Sequence, residues 1–211
     1  MGATKIMVIR HAEKPGSYSG KDYSGVDATG TTCGAHGKES LVTIGWERVG
    51  ALVTLFAPPW GPKAPTLAEP KHLYAADPDT TDAGKTPSQR PYQTLTALAA
   101  KLGLKIDKKH KKKDYARMVT DALAKDGAVL IAWEHEDIPL LTSDGDPGIS
   151  QCILTGTGTS GTLGVPRSWP DGPDGARYDL VWVFDRPSGT GPIVGFTQFA
   201  QMLLPGDAPV S

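Results

Sequence analysis

The stretch Lys5-Ile6-Met7-Val8-Ile9-Arg10-His11 joins a short apolar run, rich in β-branched residues, directly to an arginine and a histidine. A run of this length and composition is typical of a strand that is buried on both faces, as strands of parallel sheets are. The stretch Ala128-Val129-Leu130-Ile131-Ala132-Trp133 has the same character and is followed by Glu134-His135-Glu136. The sequence therefore predicts two buried strands, each with a histidine just beyond its carboxyl end.

Helices and further strands are predicted around these two runs. Apolar residues at helical spacing predict helices over residues 41–56, 88–102 and 114–125. Ser88 is a candidate cap for the second of these helices. Shorter apolar runs predict strands at residues 72–76, 178–184 and 193–196. Because strands alternate with helices, we expect an α/β layered fold with a mostly parallel sheet.

The composition bounds the class of protein. With 211 residues, the chain is long enough to bury one sizeable core, and we expect a single domain over residues 1–211. Hydrophobic residues make up 39% of the chain and charged residues 21%, which excludes a disordered tail. No apolar run approaches the roughly 20 residues of a membrane helix. A net charge of -1 argues against broad nucleic-acid binding.

Two segments differ from the rest in composition. The 25 glycines and 18 prolines of the chain are clustered, and they predict long loops at about residues 15–40 and 142–175. Long loops in small domains usually carry function. We therefore expect these segments to set substrate specificity, and the first is a candidate lid.

The start of the chain and the cysteines bear on the compartment. No apolar signal segment precedes the first charged motif, and Cys33 and Cys152 lie far apart in the sequence. This pattern favours reduced thiols and predicts a cytoplasmic protein.

Four polar residues follow strand ends or begin a helix. His11 and His135 come directly after buried strands, and Arg10 adjoins the first of them. Ligands of open parallel sheets bind beyond the carboxyl ends of the strands. Arg90 lies at the start of a predicted helix, where backbone N–H groups and the helix dipole favour an anion. A single histidine after a strand is more often structural, but two histidines and two arginines in such places predict a phosphate site.

Four motifs resemble those of one family. Arg10-His11-Ala12-Glu13 resembles the Arg-His-Gly-Glu signature of the histidine phosphatase superfamily, which includes the cofactor-dependent phosphoglycerate mutases. Ser88-Gln89-Arg90-Pro91-Tyr92-Gln93-Thr94 is similar to its second block, an arginine followed by Gln-Thr at a helix start. Residues 129–135 are similar to its third, an apolar strand ending in a second histidine, and Gly45-Trp46-Glu47-Arg48 lies where the family has a Gly-x-x-Arg helix start. The motifs follow the order of the family and span most of the chain.

The resemblance implies a fold, a reaction and a role for each matched residue. The implied fold is a phosphoglycerate mutase-like three-layer α/β/α sandwich with a mostly parallel central sheet. By the resemblance, His11 is the nucleophile, which attacks phosphorus to give a phosphohistidine that water then hydrolyses. Arg10 and Arg90 clamp the phosphate oxygens, and His135 completes the clamp. The arginines should keep the His11 imidazole neutral, and we expect a backbone carbonyl to select its tautomer.

Departures from the family pattern leave alternatives open. Ala12 replaces the usual glycine. Lys14 is a candidate phosphate contact, because one branch of the family has an arginine there; a solvated surface lysine is the alternative. The mutases have a leaving-group glutamate in the segment that corresponds to residues 106–113, which contains none. Glu136 stands where the acid phosphatases have an aspartate and is our candidate acid, with Glu134 or an acid from the long loops as alternatives.

Other motifs carry less chemistry. Residues 156–161 match the dinucleotide pattern G-x-G-x-x-G, but glycine and prolines follow them where a helix is needed. His36, His72 and His110 lack the spacing of metal ligands. We expect neither a metal nor a cofactor. The lysine-rich residues 108–113 are expected to be a solvated face, with steering of an anionic substrate as the alternative.

The function favoured by the sequence is that of a phosphomonoester hydrolase, a histidine phosphatase. We expect it to act on a phosphorylated small molecule or a phosphoprotein, with neither nucleic acid nor membrane as a partner. Phosphoglycerate mutase-type transfer is the first alternative, and it is disfavoured by the missing glutamate. A catalytically silent phospho-ligand binder is the second, and it is disfavoured because a binder has no need of a nucleophile at His11.

Overall fold

A six-stranded sheet forms the centre of the computed structural model, which describes residues 1–16, 25–27, 34–60, 64–80, 87–172 and 175–210. In chain order the strands are β1 (Ala3–Arg10), β2 (His72–Ala75), β3 (Ile106–Asp107), β4 (Gly127–Trp133), β5 (Asp171–Gly172), β6 (Gly175–Ala176), β7 (Leu180–Asp185) and β8 (Gly195–Ala200). The helices are α1 (Thr43–Phe56), α2 (Arg90–Leu102), α3 (Tyr115–Leu123) and α4 (Ile149–Gly156).

The strands of the central sheet run mostly in one direction. Their order is β3-β2-β4-β1-β7-β8, and the first four are mutually parallel. Strand β7 runs antiparallel to β1, and β8 runs antiparallel to β7, so β8 again follows the direction of β1. Strands β5 and β6 form a separate antiparallel pair. The prediction of a mostly parallel sheet is confirmed.

Helices cover both faces of this sheet. Alternate residues of a strand point to opposite faces, and β1 shows this clearly. Ile6 and Val8 pack in one core cluster, to which α3 and α4 contribute Met118, Val119, Ile153 and Leu154. Met7 and Ile9 pack in the other cluster, to which α1 and α2 contribute Leu52, Phe56, Leu95 and Leu98. The result is a three-layer α/β/α sandwich, consistent with the phosphoglycerate mutase-like fold that the resemblance implies.

The ends of α2 show one prediction confirmed and one that was wrong. The helix ends at Gly103, which adopts the left-handed conformation (φ 65°) that glycine tolerates at a helix C-terminus. At the other end, Gln89 occupies the N-cap position without a side-chain cap. The predicted capping by Ser88 was wrong, because its hydroxyl accepts a hydrogen bond of 3.0 Å from Nε of Arg90 instead.

The predicted loop at residues 142–175 contains regular structure. It includes α4 and the β5–β6 pair. These elements were not predicted, because glycine and threonine are frequent in this segment. Helix α4 forms because Ile149, Ile153 and Leu154 give even this short segment an apolar stripe, and all three are buried. Strand β8 also extends to Ala200, beyond the predicted residues 193–196, because its pairing with β7 continues.

The remaining predictions concern the first long loop, the two cysteines and membrane helices. Residues 17–24 and 28–33 of the first predicted loop, which include Cys33, lie outside the described residues. Cys152 is a free thiol. Among the described residues, no helix has the length and apolar character needed to cross a membrane.

Candidate active site

The two histidines lie at the same edge of the sheet because their strands are parallel neighbours. In the β1–β4 register Arg10 lies opposite Trp133, at the carboxyl ends of both strands. The backbone N–H of His11 continues the pairing with a hydrogen bond of 2.9 Å to the carbonyl of Trp133. His135 follows Trp133 by two residues and begins a short 3-10 turn. The structure thus brings together the ends of two segments that are distant in sequence.

His11 is buried in a single tautomer. Its side chain is almost inaccessible, at 2% exposure, and Nδ1 lies 2.7 Å from the carbonyl oxygen of Ala12. A carbonyl only accepts hydrogen bonds, so Nδ1 carries the proton and Nε2 of the neutral ring keeps its lone pair. Burial, followed by the charges of Arg90 and Arg10, holds the pKa of His11 well below its usual 6.5. The imidazole is therefore neutral at pH 7, with the bare nitrogen that nucleophilic attack requires.

Arg90 is oriented from three sides. Its Nε donates to Ser88, its Nη1 donates at 3.3 Å to the carbonyl of Lys38, and its Nη2 donates at 3.2 Å to the carboxylate of Glu39. A guanidinium carries five N–H donors. Two of the five thus have no partner among the described residues, and a phosphate can accept both.

Arg10 is held by an aromatic ring that sequence reasoning missed. Its guanidinium carbon lies 3.7 Å from the centroid of the Tyr178 ring, and Nη2 donates at 3.0 Å to the Tyr178 hydroxyl. Tyr178 also lies beside His11, with 6.0 Å between the ring centroids. It precedes β7, and because β7 is antiparallel to β1, the start of β7 lies at the edge where β1 ends. Only the strand direction could have signalled this residue.

His135 is the second neutral imidazole of the site. Burial lowers its pKa to about 3, and the charges of Arg10, Lys14, Lys112 and Arg90 act in the same direction. Before an anion binds, the His135 imidazole is therefore neutral and can take part only in hydrogen bonds of a neutral ring. These four cations therefore lie close enough to His135 to act on its charge.

Lys14 belongs to the same cluster. Burial and the positive charges of Arg90 and Arg10 lower its pKa, while Glu134 and Glu136 raise it. Lys14 is half-buried, and the charges that act on it belong to residues of the candidate site. Its role as a phosphate contact stays a prediction.

Two carboxylates border the cluster, and Lys112 lies between them. Lys112 donates to Glu134, and its ammonium lies 3.9 Å from Glu136. The Glu136 side chain is 50% exposed and that of Glu134 only 14%. The backbone carbonyl of Lys112 accepts a hydrogen bond of 3.2 Å from the indole of Trp133, which fixes the lysine near the end of β4. Within the lysine-rich segment, this residue faces His135.

The other lysines of the segment have partners elsewhere. Lys108 pairs with Asp79, Lys109 pairs with Asp121, and Lys113 pairs with the fully buried Asp137 at 3.0 Å. These lysines remain substantially exposed, as expected of a solvated face, and their ion pairs also attach the segment to neighbouring elements.

The Gly-x-x-Arg motif has a structural place. The guanidinium of Arg48 donates to both carboxylate oxygens of Glu13 and to the carboxylate of Asp207, all of them buried. Helix α1 approaches this point so closely that a Cβ at Gly45 would lie 2.7 Å from the carbonyl oxygen of Glu13. The close approach therefore requires glycine at this position. The network fixes the segment that follows His11, and Glu13 also acts electrostatically on Arg10.

Comparisons with known proteins add little to this geometry. No protein-family model matches the chain. No curated protein matches it either. Among solved structures, the chain is similar to SixA from Agrobacterium tumefaciens, a protein provisionally assigned as a phosphohistidine phosphatase, with a TM-score of 0.40 and 12% sequence identity over 92% of this chain and 97% of that one. At these values we draw no conclusion about activity from the likeness.

Proposed function

We propose that this protein is a phosphomonoester hydrolase that acts through a phosphohistidine on His11. The observation that carries the proposal is the state of this one side chain: buried, neutral, with Nε2 bare and with two arginines acting on it. A buried histidine with a purely structural role needs no pair of arginines acting on it. A phosphate dianion is the ligand that such a cluster accommodates.

In the first step, Nε2 of His11 attacks phosphorus in line with the ester oxygen. The N–P bond forms as the P–O bond to the leaving group breaks. Arg10 and Arg90 hold the nonbridging oxygens as charge is redistributed over them, and Lys14 and His135 add hydrogen bonds from the other side. Groups arranged in advance around the transferring phosphoryl supply most of the catalysis in such reactions.

The leaving oxygen needs a proton, and we assign its donation to Glu136, with Glu134 as the alternative. Glu136 is the more accessible of the two, while Glu134 is held by Lys112. In the second step water attacks the phosphohistidine, the N–P bond breaks, and the same carboxylate takes the proton from water. Phosphate leaves, and His11 and the acid return to their starting states.

The chain as a whole is proposed to act as a single domain on a phosphorylated small molecule or a phosphoprotein. Since both classes present the same dianionic monoester, the cluster by itself does not separate them. A screen over phosphorylated metabolites and phosphopeptides addresses this point, with turnover by the parent as the readout.

The proposal is tested with an aryl phosphate and two histidine variants. We expect turnover by the parent and a fall of at least about 10³-fold in kcat for His11→Ala. His72→Ala is the matched control. His72 is the first residue of β2, so it lies at the amino ends of the parallel strands, and the candidate site lies at their carboxyl ends. Rapid acid-free quenching followed by mass spectrometry should detect a phosphorylated His11 in the parent. Equal rates for His11→Ala and the parent would refute the proposal.

A further inference from the structure

We infer that Tyr178 is a positioning residue for Arg10, holding its guanidinium in the plane and orientation in which it meets the transferring phosphoryl group. This inference rests on the proposed function of the site. It concerns a residue outside every motif of the sequence.

The contact between the two side chains restrains Arg10 in two independent ways. The guanidinium carbon lies 3.7 Å from the ring centroid, so the ring face limits movement perpendicular to the guanidinium plane. The hydrogen bond of 3.0 Å from Nη2 to the phenol oxygen opposes rotation within that plane. Arg10 is 3% exposed, so water does not replace either contact easily.

Arg10 needs such a restraint because it is a buried cation beside a second one. Burial and the positive charge of Arg90 lower the pKa of Arg10, while Tyr178, Glu13 and Glu134 raise it. The negative face of an aromatic ring attracts a cation, and the ring of Tyr178 lies in stacking contact with the guanidinium.

Tyr178 is itself fixed by its neighbours in the chain. Arg177 and Asp179 form a bidentate ion pair, and the carboxylate of Asp179 accepts a hydrogen bond of 2.9 Å from the backbone of Ala208. The carbonyl of Tyr178 accepts a hydrogen bond from the side chain of Gln201 at 3.3 Å. A rigidly held backbone on both sides of the ring is what a positioning role requires.

The test compares Tyr178→Phe, which keeps the ring, with Tyr178→Leu, which loses both contacts. We expect kcat/KM on an aryl phosphate to fall about 2- to 5-fold in the first variant and about 10- to 30-fold in the second. Phe196→Leu is the control for loss of an aromatic packing residue, because Phe196 packs on Trp182 and Phe184 along β7 and away from the site. Its kcat/KM should stay within about 2-fold of the parent.

A double-mutant cycle separates positioning from a merely structural role. If Tyr178 acts through Arg10, Tyr178→Leu should cost less than about 2-fold once Arg10→Ala has removed the guanidinium. An equal loss in the two backgrounds overturns the inference, and so does an unchanged rate in Tyr178→Leu alone.

Binding of inorganic phosphate, measured by calorimetry, distinguishes failure of this inference from failure of the proposed function. We expect Tyr178→Leu to weaken phosphate binding and Phe196→Leu to leave it unchanged. A parent that binds phosphate but shows no turnover refutes the hydrolase proposal while leaving the role of Tyr178 to be decided by these affinities. A parent with turnover, and with equal phosphate affinity in Tyr178→Leu, refutes only the role of Tyr178.

Discussion

The side-chain oxygen of Thr94 lies 2.9 Å from the backbone nitrogen of Ala12, the residue next to the proposed nucleophile. The same hydroxyl donates at 2.7 Å to the carbonyl of Arg90. One fully buried threonine therefore joins the first turn of α2, which carries an arginine of the site, to the loop that carries His11.

Replacing this hydroxyl should affect both stability and rate. Thr94→Val keeps the shape of the side chain but leaves the N–H of Ala12 buried without its acceptor, which costs about 1–3 kcal/mol of unfolding free energy. We also expect a lower kcat/KM, since Arg90 and His11 lose their common support. Urea denaturation and steady-state kinetics measure the two effects. Thr96→Val, on the same helix, is the control, because the Thr96 hydroxyl donates to the carbonyl of Gln93 in its own helix, and it should change neither by a comparable amount.

Arg90 should contribute strongly to the transition state. Because two of its N–H donors have no partner within the described part of the chain, Arg90→Ala is expected to lower kcat/KM by about 10²- to 10³-fold, as removal of one oxyanion donor does. Arg186→Ala, at the far end of β7, is the matched loss of an arginine and should leave kcat/KM near that of the parent. An Arg90→Ala protein with parental kcat/KM would exclude this residue from the site.

The two histidines should titrate abnormally. Since the pKa of His135 is lowered to about 3 and that of His11 lies well below 6.5, neither imidazole should gain a proton between pH 8 and 6 in the free protein. Binding of a phosphate dianion adds negative charge beside His135, which favours the imidazolium, so its pKa should rise on binding. Imidazole NMR signals followed against pH, with and without phosphate, measure this. A free-protein midpoint near 6.5 for His135 would contradict the burial and the cationic surroundings described above.

The same shifts predict how stability depends on pH. Below pH 6.5 the unfolded chain protonates both histidines while the folded protein does not, so the unfolded state binds more protons. The free energy of unfolding should therefore decrease as the pH falls from about 6.5. His135→Gln removes one of these groups and should flatten the decrease, as chemical denaturation at a series of pH values will report.

The leaving-group acid can be identified by the choice of substrate. An alkyl phosphate needs a proton on its leaving oxygen far more than an aryl phosphate with an acidic phenol does. If Glu136 is the acid, Glu136→Gln should slow alkyl phosphate hydrolysis by about 10²-fold or more and aryl phosphate hydrolysis much less. Glu134→Gln is the matched comparison. The reverse pattern would transfer the role to Glu134.

The buried ion-pair network should matter for stability. Arg48→Ala leaves Glu13 and Asp207 buried without their shared cation, and removal of one partner of a buried pair costs about 3–5 kcal/mol. Arg117→Ala, which removes an exposed arginine from α3, is the control. Urea denaturation measures the free energy of unfolding of both variants. A loss no larger than that of the exposed control would show that Glu13 and Asp207 find other partners.

The regular part of the fold could be predicted because its signals are local. The run at β1 and the run at β4 are apolar, β-branched and of strand length, and helices α1 and α2 show helical spacing of apolar residues. What local signals miss are short elements that depend on neighbours. Strand β3 has two residues and α4 has eight, so each is too short to give a clear periodic pattern.

The sequence by itself determined that His11, His135, Arg10 and Arg90 follow strands or begin a helix, since apolar periodicity marks where those elements stop. It also marked Lys14 and Glu136 as candidates. The tertiary structure alone decided that Tyr178 stacks on Arg10, that Thr94 supports Ala12 and that Lys112 lies between two glutamates beside His135. Each of these contacts joins residues of different elements, and the contact of Tyr178 depends also on the reversed direction of β7. Those features arise from the packing of whole elements and leave no periodic signal around the residues concerned.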